Sequence, residues 1–139
     1  MERNRRILLI EDDLDDQMFF KWALTLIAPS VECIIAKNGV EGINKIMTMK
    51  VPPDFVFLDL NIPMINGFDC LRHIRDNNLI PDVPVIIFST SRNEVDIAKA
   101  KELGAVGFFH KPKEIKVLLL LLSDILSVDF KKSGIFFEF

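Results

Sequence analysis

The sequence predicts an α/β fold, a doubly wound parallel sheet of five strands with helices on both faces. Three observations lead there. Short apolar runs alternate with longer segments whose apolar residues recur at helical spacing. That alternation requires crossover connections, and crossovers lay strands parallel. The runs are apolar throughout rather than alternating, as strands covered on both faces must be.

The first run is Ile7-Leu8-Leu9-Ile10, ending in acids. Segment 15–27 carries Phe19, Trp22, Ala23, Leu26 and Ile27 at helical spacing, and Pro29-Ser30 breaks it. Segment 31–36 is a second, weaker strand. A helix is expected over 39–49, with Val40, Ile43, Ile46 and Met47 on one face. Pro52-Pro53 interrupts it, and 55–58 is a third strand ending at Asp59. The loop through Asn61, Pro63, Asn66 and Gly67 leads into a helix over 68–75. Pro81 and Pro84 precede a fourth strand over 85–88, which ends at Ser89. A helix over 93–103 stops at Gly104, a C-terminal signal. The fifth strand, 106–109, ends in His110-Lys111-Pro112, and a last helix covers 113–126.

A length of 139 residues fits one domain on a prior of about 150 residues each. Residues 1–127 are expected to form it. Residues 128–139 are read as an apolar tail, with no separate effector domain. With 17 basic and 20 acidic residues the net charge is −3, which argues against DNA binding. Two cysteines, Cys33 and Cys70, make neither a disulfide scaffold nor a zinc site and are read as small buried residues. Half the residues are apolar and mean hydropathy is +0.28. Even so, no run approaches the roughly 18 residues of a membrane span. The four apolar residues after the basic start fall short of the roughly 7 to 15 of a signal peptide. A cytoplasmic, reduced protein away from membranes is expected.

In open α/β sheets, ligands bind beyond the carboxyl ends of the strands. Here those ends carry Glu11-Asp12-Asp13, Lys37-Asn38, Asp59-Leu60-Asn61, Ser89-Thr90-Ser91 and His110-Lys111-Pro112. Converging carboxylates repel one another unless a divalent cation binds between them. A few hard oxygen ligands suit Mg2+. A cation, an ammonium and a hydroxyl around one carboxylate are the parts of phosphoryl transfer onto that carboxylate, giving an aspartyl phosphate.

Four blocks, 7–13, 57–67, 85–91 and 104–112, together resemble the response-regulator receiver domain of two-component signalling. The resemblance covers about 5–127, and the ordered set is far more specific than any one block. It implies a (βα)5 flavodoxin-like sheet of order 2-1-3-4-5. It also implies that Asp59 is the phosphoacceptor and Asp12 a direct Mg2+ ligand. Glu11 would be the second acid, and the Asn61 backbone carbonyl would complete the metal set. Ser89 would move to the phosphoryl group on activation, and Lys111 would bind a phosphoryl oxygen. The bond to Pro112 would be cis, and Phe108 would take the aromatic switch position. Two departures stand out. The acidic pair is Glu-Asp rather than Asp-Asp, and Phe108 lacks the hydroxyl of a tyrosine.

Plainer readings stand beside these. Asp59 could cap a strand–loop junction, and Ser89 could be a core serine. The 11–16 acid cluster also suits a helix start, with Asp15 or Asp16 as the cap. A calcium loop is disfavoured, because no glycine or closing glutamate stands at the required spacing. His73 reads as surface, nothing pairs His110 as a base, and Arg3-Asn4-Arg5-Arg6 reads as a solvated lead-in.

On the last helix, Ile115, Leu118, Leu119, Leu122, Ile125 and Leu126 suffice for a core face. Val117, Leu120 and Leu121 then fall opposite, where a surface helix should be polar. Phe130, Phe136, Phe137 and Phe139 follow in the tail. Either the tail folds over this stripe, or Val117, Leu120, Leu121, Phe136 and Phe137 form a homodimer or partner interface. The preferred reading is the interface.

The resulting expectation is a single-domain response regulator and not an enzyme. It would be phosphorylated on Asp59 with Mg2+ by a sensor histidine kinase or phosphotransfer protein, with output by protein contact. One rival is a receiver-like interaction module without phosphorylation. The other is a haloacid-dehalogenase-type phosphatase. That class wants an aspartate where Asn61 stands.

Overall fold

Each apolar run becomes a strand, and each helical segment carries the chain back so that the next strand lies parallel to it. The computed structural model describes residues 4–138. In order, the elements are β1 (Arg6–Ile10), α1 (Leu14–Ile27), β2 (Glu32–Ala36), α2 (Gly39–Thr48), β3 (Phe55–Leu58) and α3 (Gly67–Asp76). There follow β4 (Val85–Ser89), α4 (Glu94–Glu102), β5 (Gly107–His110), α5 (Ile115–Ser127), α6 (Phe130–Ser133) and β6 (Phe137–Glu138). The sheet order is β2-β1-β3-β4-β5-β6, parallel throughout. The 2-1-3-4-5 core agrees with expectation. The sixth strand is an addition that two residues of tail give no periodicity to announce.

Strand side chains alternate between two core layers, as the pleat requires. Leu8, Ile10, Val56, Leu58, Val85, Ile87 and Phe108 face Ile43, Ile46, Leu71, Ile74 and Ala100 of α2, α3 and α4. Ile7, Leu9, Phe57, Ile86, Phe88 and Phe109 face Phe20 and Leu24 of α1 and Leu118, Leu122 and Ile125 of α5. Aromatic edges lock this second layer. Phe20 meets Phe57 at 5.0 Å and Phe88 meets Phe109 at 5.1 Å between centroids.

Several expectations change. The buried face of α1 is Gln17, Phe20, Ala23 and Leu24, while Trp22 and Leu26 lie outside. Apolar residues surround this helix, so periodicity alone could not choose its inner face; the fit of Phe20 between Phe57 and Phe88 does. Met47 is likewise exposed. The α1 cap is Asp13, whose carboxylate accepts from the Asp16 amide, rather than Asp15 or Asp16. Among the described residues no peptide bond is cis, so Lys111–Pro112 is trans, contrary to what the resemblance implied. Trans is the ordinary preference of such a bond, by about 0.5–1 kcal/mol.

On α5, Val117 and Leu120 are exposed, Leu120 by 68%, while Leu121 is partly buried against the α1–α5 layer. Among the described residues the tail does not cover this stripe. Phe136 packs against the opposite core layer, and Phe137 pairs beside Gly107 in β6. Phe130 meets Phe55 and Phe137 edge-on. Phe139 lies outside the described residues.

Candidate functional site

Strand register builds the site. Ile10 and Leu58 are paired across β1 and β3, so the next residues, Glu11 and Asp59, leave the sheet side by side. The Asp59 amide donates to the Ile10 carbonyl at 3.1 Å, and the Glu11 amide to the Ala36 carbonyl at 2.9 Å. Glu11 and Asp59 are buried, and Asp12 is exposed at the rim. One carboxylate oxygen from each of the three lies within 4.8 Å of the others.

Lys111 arrives from the end of β5, its amide donating to the Ser89 carbonyl at 2.9 Å. Its ammonium donates to Glu11 Oε1 at 2.5 Å, Asp16 Oδ2 at 2.9 Å and Asp59 Oδ2 at 3.0 Å. Burial alone would lower the lysine's pKa, but its hydrogen bonds to Glu11 and Asp16 and the Asp59 charge outweigh that and raise it. Burial pushes the Glu11 carboxyl up to about 7; Lys111 opposes the rise and Asp59 adds to it. A single lysine therefore sits among acids whose charges exceed its own. Several hard oxygens with one exposed member, Asp12, fit a divalent cation that keeps part of its water.

The loop after Asp59 is pinned tightly. The Asn61 amide donates to Asp59 Oδ1 at 3.3 Å, and the Gly67 amide to the Leu60 carbonyl at 2.9 Å. Asn66 caps α3 by accepting from the Asp69 amide at 3.0 Å. A Cβ on Gly67 would stand 2.4 Å from the Asp59 carbonyl oxygen and 2.5 Å from the Leu60 Cα. Only glycine lets the start of α3 press so close to the backbone that carries Asp59.

Ser89 is fully buried, its hydroxyl accepting from the Ser91 amide at 3.1 Å. Phe108 is fully buried with its ring 5.3 Å from that of His110. His110 donates from Nδ1 to the Ser91 carbonyl at 2.9 Å, and its Nε2 lies 3.8 Å from Glu138. Asp16 is the site residue the sequence reading did not place. The available signal was its position in the first turn of α1, three residues after the cap. Gln17 supports the floor by donating to the Glu11 carbonyl at 2.7 Å.

Residues 7–123 match the response regulator receiver domain family. The chain belongs to that family. It is 28% identical to response regulator Rcp1 of Synechocystis over 86% of this chain and 84% of that protein. It is 29% identical to protein PilH of Pseudomonas aeruginosa over 86% and 97%. It is also 35% identical to a protein-glutamate methylesterase/protein-glutamine glutaminase of Desulfotalea psychrophila, over 81% of this chain but 30% of that enzyme. Of a nitrate/nitrite response regulator of Escherichia coli the chain spans 52%. It thus covers about a third to a half of such longer relatives. Among solved structures, the Mn2+-bound form of Rcp1 superposes with a TM-score of 0.77 at 27% identity, covering 88% of this chain and 92% of that one. The bacteriophytochrome response regulator AtBRR superposes with a TM-score of 0.75 at 27% identity, covering 93% and 96%. These likenesses put the chain among the receivers of two-component systems. The methylesterase's activity belongs to a protein more than three times as long as the stretch shared with it. Among the described residues no helix is long and apolar enough to cross a membrane.

Proposed function

We propose that this receiver takes a phosphoryl group onto Asp59 from a phosphohistidine of a sensor histidine kinase or phosphotransfer protein, with Mg2+ bound by Glu11, Asp12, Asp59 and the Asn61 carbonyl. The observation that carries the reading is Lys111 and three carboxylates gathered at one strand-end pocket, with Asp59 at its floor. An Asp59 oxygen attacks phosphorus, the P–N bond breaks, and its electron pair returns to the imidazole nitrogen. Lys111, already 3.0 Å from Asp59, neutralises a phosphoryl oxygen. When bound, Mg2+ withdraws charge from the phosphoryl oxygens and offsets the repulsion among the acids. Ser89 offers a hydroxyl from the neighbouring strand end and, with Phe108, forms the switch. Water later cleaves the acyl phosphate, which resets the protein. Output is by protein contact, with the exposed Val117 and Leu120 on α5 as a homodimer or partner surface.

The donor's footprint is supported by α1. Leu14, Met18, Trp22 and Leu26 recur every four residues along its outer face and are each more than half exposed. This stripe starts two residues beyond Asp12 and runs about 18 Å from the pocket mouth. A helical protein presenting its histidine to Asp59 would lie along it.

Incubation with Mg2+ and acetyl phosphate tests the reading by intact mass. The expected result is the gain of one phosphoryl group, lost without Mg2+ and in Asp59→Asn. No gain, or a gain that survives Asp59→Asn, overturns it.

A further inference from the structure

The tail strand touches the same three residues of β5 that lead into the pocket. Gly107 pairs with Phe137 and Phe108 with Glu138, and the Phe137 amide donates to the Val106 carbonyl at 3.0 Å. A Cβ on Gly107 would stand 2.9 Å from the Phe137 carbonyl oxygen, so this approach is open only to glycine. Glu138 reaches His110, the residue between Phe108 and Lys111. Phe136 anchors the tail on the core layer beneath α4, and Phe137 anchors it on Phe130.

We propose that β6 is a strap held on the β5 edge while Asp59 is unmodified and released when Asp59 carries a phosphoryl group. This rests on the phosphoacceptor reading above.

The coupling runs through short contacts. A phosphoryl group brings about −1.5 to −2 of charge and three acceptor oxygens. Lys111 is the lysine at that point and is already shared among three carboxylates. Ser89 is the adjacent hydroxyl. Both lie at the β4–β5 junction, where the Lys111 amide holds the Ser89 carbonyl and His110 holds the Ser91 carbonyl. Drawing Lys111 and Ser89 inward therefore shifts His110 and Phe108, the partners of Glu138. A two-residue strand is the weakest part of the sheet and yields first. What it uncovers is the β5 edge and the α4 flank around Ile97 and Lys101, which together with the docked tail wall a groove of about 660 Å³. Linkage requires the reverse effect too, so a chain with a loosened strap is phosphorylated to a higher level.

The test is hydrogen exchange on the full chain with and without Mg2+ and acetyl phosphate, read in peptides covering 135–138, with intact mass taken on the same samples. Exchange there should rise roughly tenfold on phosphorylation while β1 and β3 stay protected. Gly107→Ala should show the high rate without donor. The milder Glu138→Gln should narrow the difference between the two states without loosening β1 or β3. A phosphoryl mass gain with unchanged exchange at 135–138 overturns the strap and leaves the phosphoacceptor reading standing. Absence of any mass gain overturns both.

Discussion

Gly67→Ala is a one-carbon change outside the acidic cluster that should disable it. The new Cβ would meet the Asp59 carbonyl oxygen at 2.4 Å and the Leu60 Cα at 2.5 Å. Both are backbone atoms, so no rotamer change relieves the contact. Moving the carbonyl from 2.4 Å to even 3.0 Å is a shift of 0.6 Å, applied to the proposed phosphoacceptor. The start of α3 cannot retreat freely, because the Gly67 amide holds the Leu60 carbonyl and Cys70, Leu71 and Ile74 are buried beyond it. Overpacking of this kind costs about 1–3 kcal/mol, partly offset by up to about 1 kcal/mol from alanine's better helix propensity. The melting temperature should fall by several degrees, at about 2–8 °C per kcal/mol for domains near this size. The larger effect is chemical, since misplacing a reacting group by about 1 Å can cost roughly a hundredfold. Phosphorylation by acetyl phosphate should slow by about tenfold or more, followed by intact mass over time. Wild-type rate and melting temperature in Gly67→Ala would refute the claim that the helix start positions Asp59.

Lys111→Ala leaves Glu11 and Asp59 buried without their ammonium and should cost about 3 kcal/mol in denaturant unfolding, less at low pH where Glu11 takes a proton. The Glu11 carboxyl, raised from 4.5 to about 7, keeps its proton in the folded chain over a range where the unfolded chain has lost it. Metal-free stability should therefore fall as pH rises through that window. Mg2+ competes with the proton, so the melting-temperature gain from saturating Mg2+ should be larger above about pH 7 than below it. Trp22→Ser on the outer face of α1 should change stability by less than about 0.5 kcal/mol and leave acetyl phosphate reactivity intact. Transfer from a histidine-phosphotransfer protein should drop roughly tenfold in stopped-time assays.

The strands of the core were legible because a strand covered on both faces has to be apolar throughout, and 7–10, 55–58 and 85–88 are. Their ends then located Glu11, Asp59, Ser89 and Lys111, because a parallel sheet sends all its carboxyl ends the same way. What escaped was whatever tertiary fit decides. Phe19 and Phe20 are neighbours in sequence, and only the pocket between Phe57 and Phe88 selects Phe20 for the interior. Five acids between 11 and 16 compete for one cap and one lysine, and local rules cannot show that Asp13 takes the cap while Asp16 reaches a lysine 95 residues away. A strand of two residues carries no period, so β6 was invisible, and with it the carboxylate facing His110 Nε2. Trans geometry at Pro112 corrects a detail that the family resemblance supplied and the residues themselves did not.

The central claim is that Asp59 alone accepts the phosphoryl group. Peptide mapping after acetyl phosphate and Mg2+, with borohydride reduction of the acyl phosphate to fix the position, tests it most directly. One reduced site is expected, at Asp59, and none at Glu11, Asp12 or Asp16. A modification that resists reduction and maps to Ser89, or one spread over the acidic cluster, would contradict it.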